Sequence, residues 1–351
     1  MGKLVSLRPV TSYLGSRLLG RRLLERACEV VQIAPGVERE TLPAISLPHE
    51  FERVTGTVPS TSVPTEWERL TASAMRHGPT LNYRFSNALL ANKSVYASGA
   101  YDVHGARRRR AVVFGNCVDV DEGQLCTHSE IDRYFGHWLL EGMSMEILAE
   151  ELQLPPLTFS RRSWLHEAGY RDLMCLPQTA MPLARVRRLW IPDNRGLNDS
   201  WIARAKALRK RVRGTADGTG PEYVLMLRGK TGASRELLNE EQVARTLAAR
   251  GFRILNPEES SVGEIVSILA DARILVSVEG SALAHAMFAL PRHSAILTIQ
   301  APYFFNAALK VFTDALGMRF AYVVADAAEG GFRIDQDRLL QTIEKVEVGL
   351  S

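Results

Sequence analysis

Ile274-Leu-Val-Ser-Val-Glu-Gly-Ser-Ala-Leu-Ala-His-Ala-Met-Phe-Ala-Leu-Pro291 is the stretch that decides the fold. Ile274 to Val278 is an uninterrupted apolar, β-branched run, the pattern of a parallel strand buried on both faces. Glu279 and Gly280 break that run, and Ser281 to Phe288 then reads as a helix of small residues. A strand, a Gly-Ser turn and a helix start set free backbone N–H groups at the carboxyl edge of a sheet. Open α/β sheets bind ligands at that edge, and a helix start there suits a phosphate. The same pattern also describes an ordinary βα unit in which Gly280 only makes the turn.

The chain on either side repeats this unit. Tyr223–Leu227, Phe252–Leu255, Ala295–Ile299 and Phe320–Val324 read as strands. Asn239–Arg250 (ended by Gly251), Val262–Leu269, Phe305–Leu316 and Asp335–Val348 read as helices. Ser261 and Glu264 have the spacing of a capping box at the second helix. The alternation predicts an α/β fold with a doubly wound, mostly parallel sheet. G-x-G-x-x-G is absent, which argues against a dinucleotide oxidoreductase. Gly229-Lys-Thr resembles the end of a P-loop, but Val224 stands where that loop needs its first glycine.

Upstream, Gly214-Thr-Ala-Asp-Gly-Thr-Gly-Pro221 is the best domain boundary in the chain. Short strands are expected at Tyr83–Phe85, Ser94–Ala97 and Ala111–Phe114, with the run Arg107–Arg110 in a solvated loop between two of them. Residues 32–68 read as loop or extended connection. Residues 3–31 mix leucines with arginines, either a basic amphipathic helix resting on an anionic membrane surface or a helix packed on its own domain with its arginines in water.

The totals exclude several classes. The chain has 351 residues, 46% hydrophobic and 23% charged, enough for two globular domains. No window reaches the roughly 18 apolar residues of a membrane span, and no signal peptide is apparent. A net charge of +4 is too small to argue for nucleic acid. Cys28, Cys117, Cys126 and Cys175 form no C-x-x-C pair, so neither zinc nor a disulfide framework is expected and a reducing compartment fits.

Two places gather chemistry. In Tyr134-Phe-Gly-His-Trp-Leu-Leu-Glu-Gly-Met143, His137 falls in the first turn of a helix and Glu141 one turn later on the same face. An imidazole so placed either serves as a general base near neutral pH or caps the helix. His137 and Glu141 do not form H-E-x-x-H, so no metal site is indicated. Arg228 follows the first strand of the later domain and Arg235 lies seven residues on. Two guanidinium groups in one βα loop suit a diphosphate, since each binds oxygens bidentately; solvated loop arginines would look the same.

Taken in order, these pieces resemble glycosyltransferase family 61, whose bacterial members include capsular-polysaccharide enzymes. The resemblance runs from about Phe135 to Val324 through Phe135-Gly-His-Trp-Leu-Leu-Glu, Leu227-Arg with Arg235, and Asn239-Glu240. Gly251-Phe252, Pro257-Glu258, Ala272-Arg-Ile-Leu-Val and Glu279-Gly-Ser-Ala-Leu with Phe288 complete it. It implies a GT-B-like α/β fold, two Rossmann-like domains facing a cleft. The expected organisation is an N-terminal helix and extended segment over 1–70, an acceptor-side α/β domain over 71–215, a donor domain over 221–330 and a C-terminal helix over 331–351. The chain departs from the family at Glu279, where a His is common, and at His285, where an Asn is common. Glu279 would then accept hydrogen bonds from sugar hydroxyls, or His285 would take over a phosphate contact.

The implied activity is an inverting transfer from a nucleotide-sugar to a glycan acceptor, with no metal and no cofactor. His137 is the expected base and Glu141 its orienting partner. Arg228, Arg235, Gly280 and Ser281 would hold the diphosphate, with Asn239, Glu240 and Glu258 toward nucleoside or sugar. The expected place is cytoplasmic, peripheral at the inner membrane surface through residues 3–31. Two alternatives stay open: a non-catalytic nucleotide-sugar-binding or scaffold protein of polysaccharide assembly, and another Rossmann-like transferase with a different activated donor.

Overall fold

The structure is a computed structural model and describes residues 4–104, 113–159, 164–177, 180–214, 216, 218–229 and 236–350. The run Arg107–Arg110 and Arg235 lie outside the described residues. The chain forms two compact units, Met1–Val37 with His77–Ala205, and Glu38–Arg76 with Lys206–Ser351.

The second unit holds the alternation. Its strands Tyr223–Met226, Arg253–Leu255, Ile274–Val278, Ala295–Gln300 and Arg319–Val324 are all parallel, in spatial order 2-1-3-4-5. Ile274–Val278 is buried along its whole length, as its unbroken apolar run requires. The helices Glu240–Ala248, Val262–Leu269, Ala308–Leu316 and Gln336–Leu350 cover the faces. Ser261 and Glu264 form the capping box reciprocally, Glu264 N donating to Ser261 Oγ at 3.3 Å and Ser261 N to Glu264 Oε2 at 2.7 Å. A doubly wound sheet of this order changes direction between its first and third strands, which makes the carboxyl ends of Tyr223–Met226 and Ile274–Val278 the switch point.

The units divide the chain differently from the boundaries read in the sequence. The cut falls inside the helix Asp199–Arg213, not at the glycine-rich stretch, because Arg209 and Arg213 donate to the carbonyls of Met287, Leu290 and Ala289 in the second unit. The extended segment 38–76 also belongs to the second unit. Ile45 exchanges backbone hydrogen bonds with Phe320 and Tyr322 at 2.9 and 3.0 Å, and Ala307 N donates to the buried Glu66 Oε2 at 2.7 Å.

The first unit is built on a mixed sheet, not the regular alternation of a second Rossmann-like domain. Val118–Leu125 runs parallel to both Leu183–Asp193 and Pro156–Leu157. Thr80–Ala91 is antiparallel to Leu183–Asp193 and continues into the hairpins Ser94–Ala97 and Ala100–Val103. Two-residue turns, Asn92-Lys93 and Ser98-Gly99, make those hairpins, all four residues at positive φ as tight turns matched to strand twist require. Between Val118–Leu125 and Pro156–Leu157 the chain crosses over through Ser129–Arg133 and a helical segment from Phe135 to Glu151.

Candidate functional site

In the first unit the parallel register places the carboxyl ends of Val118–Leu125 and Leu183–Asp193 side by side. His128 follows the first, Asp193 ends the second, and the crossover helix begins beside them. Its first turn contains His137. A π-helical turn, Trp138–Gly142, follows at once; such widened turns recur at functional sites. Glu141 lies within it. His137 Nδ1 stands 2.5 Å from Glu141 Oε1, and His128 Nε2 stands 2.8 Å from Glu141 Oε2. One carboxylate therefore bridges two imidazoles. His128 Nδ1 is 3.1 Å from Glu130 Oε2, and Ser129 Oγ donates to that oxygen at 2.6 Å.

The electrostatics follow from this geometry. Burial works against the charge of Glu141, but hydrogen bonds from His128 and His137, with their positive charge, outweigh it and hold the carboxyl at about 2. Burial likewise opposes the charge on His137, yet the Glu141 hydrogen bond and the charges of Glu141 and Glu130 raise its pKa overall. The Glu141 side chain is 18% exposed and that of His137 44%, so the imidazole is the member open to solvent. Its Nδ1–H donated to Glu141 fixes the tautomer and leaves Nε2 as the acceptor. Arg195 pairs with Asp193 through two bonds of 2.9 and 3.0 Å, and the pair feels the cluster: His128 lowers the Asp193 pKa further and Glu141 raises that of Arg195.

An aromatic bed supports the helix. Trp138 packs at 5.7 Å from Phe135 and 5.5 Å from Trp164, with the Arg171 guanidinium 5.5 Å over its ring. Arg171 is itself buried and grips both oxygens of Glu146 at 3.0 and 3.1 Å and Glu167 at 3.0 Å. A buried guanidinium satisfied by two carboxylates fixes the helix carrying His137 to the helix Glu167–Met174.

In the second unit the switch point gathers most of the other expected residues. Arg228 Nη1 donates to Glu279 O at 2.6 Å, joining the ends of the first and third strands, and Arg228 N donates to Glu240 Oε1 at 2.8 Å. Gly280 is needed for close approach: a Cβ there would stand 2.8 Å from Arg228 Nη1. Gly229 lies at φ +69°, a left-handed conformation that strains any other residue, and a Cβ there would meet the Glu258 carboxylate. Burial raises the Glu240 pKa, and Glu236 and Glu258 add to that against the N–H and charge of Arg228. Asn306 Nδ2 donates to Glu279 Oε1 at 3.0 Å.

Asn239, Ser281 and His285 differ in their surroundings. Asn239 spends its side chain on the backbone of Ile334, with bonds of 2.9 and 3.1 Å, and so clasps the start of the last helix. His285 is buried in the helix Ala284–Ala289, while Ser281 is exposed. The expected helix from Ser281 opens as a 3₁₀ turn, Ser281–Leu283, before those six helical residues. Sequence reading missed His128, Glu130, Asp193, Arg195 and Asn306. The alternation of Val118 and Val120 with Asp119 and Asp121 was the available signal for the strand that delivers His128. Among the described residues no group of three or more His, Cys, Asp or Glu side chains is placed to hold a metal ion.

The fold and these two edges define an α/β protein with a carboxylate-bridged imidazole pair in one unit and an arginine-spanned switch point in the other. Residues 135–297 match the model of the family described as Glycosyltransferase 61, which supports that family for this chain. The match contains His137, Glu141 and every switch-point residue from Arg228 to His285, and begins after His128. No curated protein matches. Among solved structures the chain is similar to two mutants of a flavo di-iron protein from Thermotoga maritima, at 11% and 10% identity with TM-scores of 0.28 and 0.29. Each alignment covers 78% of this chain and 65% of that one, so this chain spans under two thirds of their length. At those scores the likeness bears on neither fold nor function.

Proposed function

We propose that the chain is an inverting glycosyltransferase of the capsular-polysaccharide type, moving a hexosyl or pentosyl group from a nucleotide-sugar to a glycan acceptor in the cytoplasm. One observation carries the reading: the residues that match the glycosyltransferase 61 family contain both the His137–Glu141 pair and the Arg228–Glu279–Gly280 edge. His137 Nε2 takes the proton of the acceptor hydroxyl as that oxygen attacks the anomeric carbon, while Glu141 and behind it His128 hold the ring and stabilise the imidazolium that forms. The departing diphosphate is met by Arg228 and Arg235 with the Gly280–Ser281 backbone, and Glu240, Glu258 and Glu279 accept from ribose or sugar hydroxyls. The division of labour is GT-B-like, one unit for the donor and one for the acceptor, and it requires no metal.

Purified 351-residue chain incubated with a panel of nucleotide-sugars tests this, since transferases slowly pass sugar to water. Release of free sugar and nucleoside diphosphate from one donor is the expected result. That nucleotide at about 100 times its dissociation constant should stabilise the fold by about 2.7 kcal/mol. A chain that is stabilised by a nucleotide-sugar but never cleaves it would be a binding or scaffold protein, a reading that Glu279 in place of the family's common His favours. A chain that no nucleotide stabilises at millimolar concentration would sink both.

A further inference from the structure

The helix Arg8–Leu19 is mounted the opposite way from a helix that packs its apolar face on its domain. Its buried positions are Pro9, Ser12 and Gly15. Gly15 lies so close to Gly99 O that a Cβ would not fit. Its outward face carries Leu7, Val10, Leu14 and Leu18 at helical spacing, exposed by 57%, 36%, 46% and 73%, with Leu19 at 64% on its flank. In a helix free to choose, burial of those leucines would be worth far more than burial of a serine and a glycine. The orientation is nevertheless fixed: Arg8 donates through Nη1 to Asn87 O, and the small inner residues let the helix lie close on the hairpin strand Ala100–Val103. A contiguous outward apolar row of this kind marks an interaction surface.

Charge says what covers it. Between Met1 and Leu24 the sequence contains Lys3, Arg8, Arg17, Arg21 and Arg22 and no acidic residue. Arg17 is exposed beside the leucine row, its guanidinium 2.6 Å from Tyr13 Oη, and the Arg22 side chain is 84% exposed with Glu25 Oε1 3.9 Å from its Nη1. An apolar row flanked by cations matches an anionic lipid surface, where leucines enter the acyl boundary and guanidinium groups meet headgroup phosphates. No helix among the described residues is long and apolar enough to cross a membrane. We infer that Arg8–Leu19 docks the protein peripherally on anionic membranes, with Leu7, Val10, Leu14 and Leu18 as the inserted row and Arg17 and Arg22 as headgroup contacts. This inference is independent of the transferase reading.

Flotation of the 351-residue chain with vesicles tests it. The protein should float with phosphatidylcholine–phosphatidylglycerol vesicles, much less with phosphatidylcholine alone, and less as salt is raised. Leu14→Glu with Leu18→Glu should lower partitioning by at least about tenfold, because each buried leucine contributes that much or more. Its melting temperature should not move, since both side chains are exposed in the folded chain. Arg17→Gln with Arg22→Gln should weaken binding to the anionic vesicles and remove most of its salt dependence. Should the double glutamate variant fail to fold, Leu18→Ser alone reads the same term. Wild-type protein that stays with the soluble fraction overturns the inference, and so does flotation that the leucine variants leave unchanged. Self-association abolished by those variants without any vesicle binding would assign the face to a second copy of the chain instead.

Discussion

Glu141→Gln isolates the charge of the carboxylate that bridges two imidazoles. Glutamine keeps the shape, but its amide nitrogen must face either His137 Nδ1 or His128 Nε2, so one ring can no longer donate there. The magnitude follows from the wild-type carboxyl, held at about 2 against an ordinary value of 4.5. At about 1.36 kcal/mol per pH decade, that gap is worth roughly 3 kcal/mol of folding free energy at neutral pH. A depressed carboxyl pKa stabilises above the ordinary carboxyl range and loses its contribution as pH falls toward about 2. Urea unfolding at pH 7 should therefore find the variant less stable by about 3 kcal/mol, with the two stability curves converging in acid. His137 supplies a second readout. Its raised pKa depends on Glu141, and without that charge burial should draw it down to its ordinary 6.5 or below, as proton NMR of the ring would follow. The His137 share of stability has the opposite pH dependence: present below 6.5 and lost as pH rises through the raised value. A variant as stable as wild type at pH 7, with His137 titrating where it does in wild type, would refute the bridge as an electrostatic unit.

Three further outcomes follow from the proposed chemistry. His137→Ala should cut kcat by about 10² to 10⁴ with nucleotide affinity preserved, and wild-type turnover should fall as pH drops through the raised His137 pKa; turnover within tenfold of wild type would transfer the role elsewhere. Arg228→Ala should weaken nucleoside diphosphate binding by about 1.5–3 kcal/mol in calorimetry, with Arg107→Ala near neutral; equal effects would move the phosphate site. Turnover should persist in EDTA, and loss restored by magnesium or manganese would contradict a metal-free transfer.

How much of this was legible depended on whether the signal was local in the chain. Ile274–Val278 carries its burial in its own composition, and the capping box at Ser261 and Glu264 satisfies its N–H groups within four residues, so both could be read directly. His137 and Glu141 are one helical turn apart and were also legible. His128 was not, because the chain between it and Glu141 folds back through the short helix Ser129–Arg133, a turn that no periodicity announces. Asp193 and Arg195 were hidden because only the parallel pairing of Val118–Leu125 with Leu183–Asp193 brings them near. The clasp of Asn239 on Ile334 joins residues far apart in sequence, and the outward mounting of Arg8–Leu19 depends on the backbone of a hairpin that the helix pattern cannot report.

The switch point poses one more question: what holds an anion at an edge that also carries Glu240, Glu258 and Glu279. On the proposed reading the helix start adds little. An exposed helix end contributes about 0.3–1 kcal/mol, and here the α-helix proper is six residues set behind a 3₁₀ turn. A charge-assisted hydrogen bond contributes about 1.5–3 kcal/mol, so Arg228 outweighs it. Two carboxylates are also engaged, Glu240 by the backbone N–H of Arg228 and Glu279 by the bond from Asn306. Arg228 then acts only if it can lie across the turn, and Gly280 is what permits that. Gly280→Ala would set a Cβ 2.8 Å from Nη1 and displace the guanidinium from Glu279 O. The obstructed atom is the far end of a flexible side chain, so the melting temperature should hold within a few degrees. Nucleoside diphosphate affinity should nonetheless fall about as far as in Arg228→Ala, by roughly 10- to 150-fold. An alanine variant that binds nucleotide like wild type would show that the bond from Arg228 to Glu279 O does not position the guanidinium for the donor.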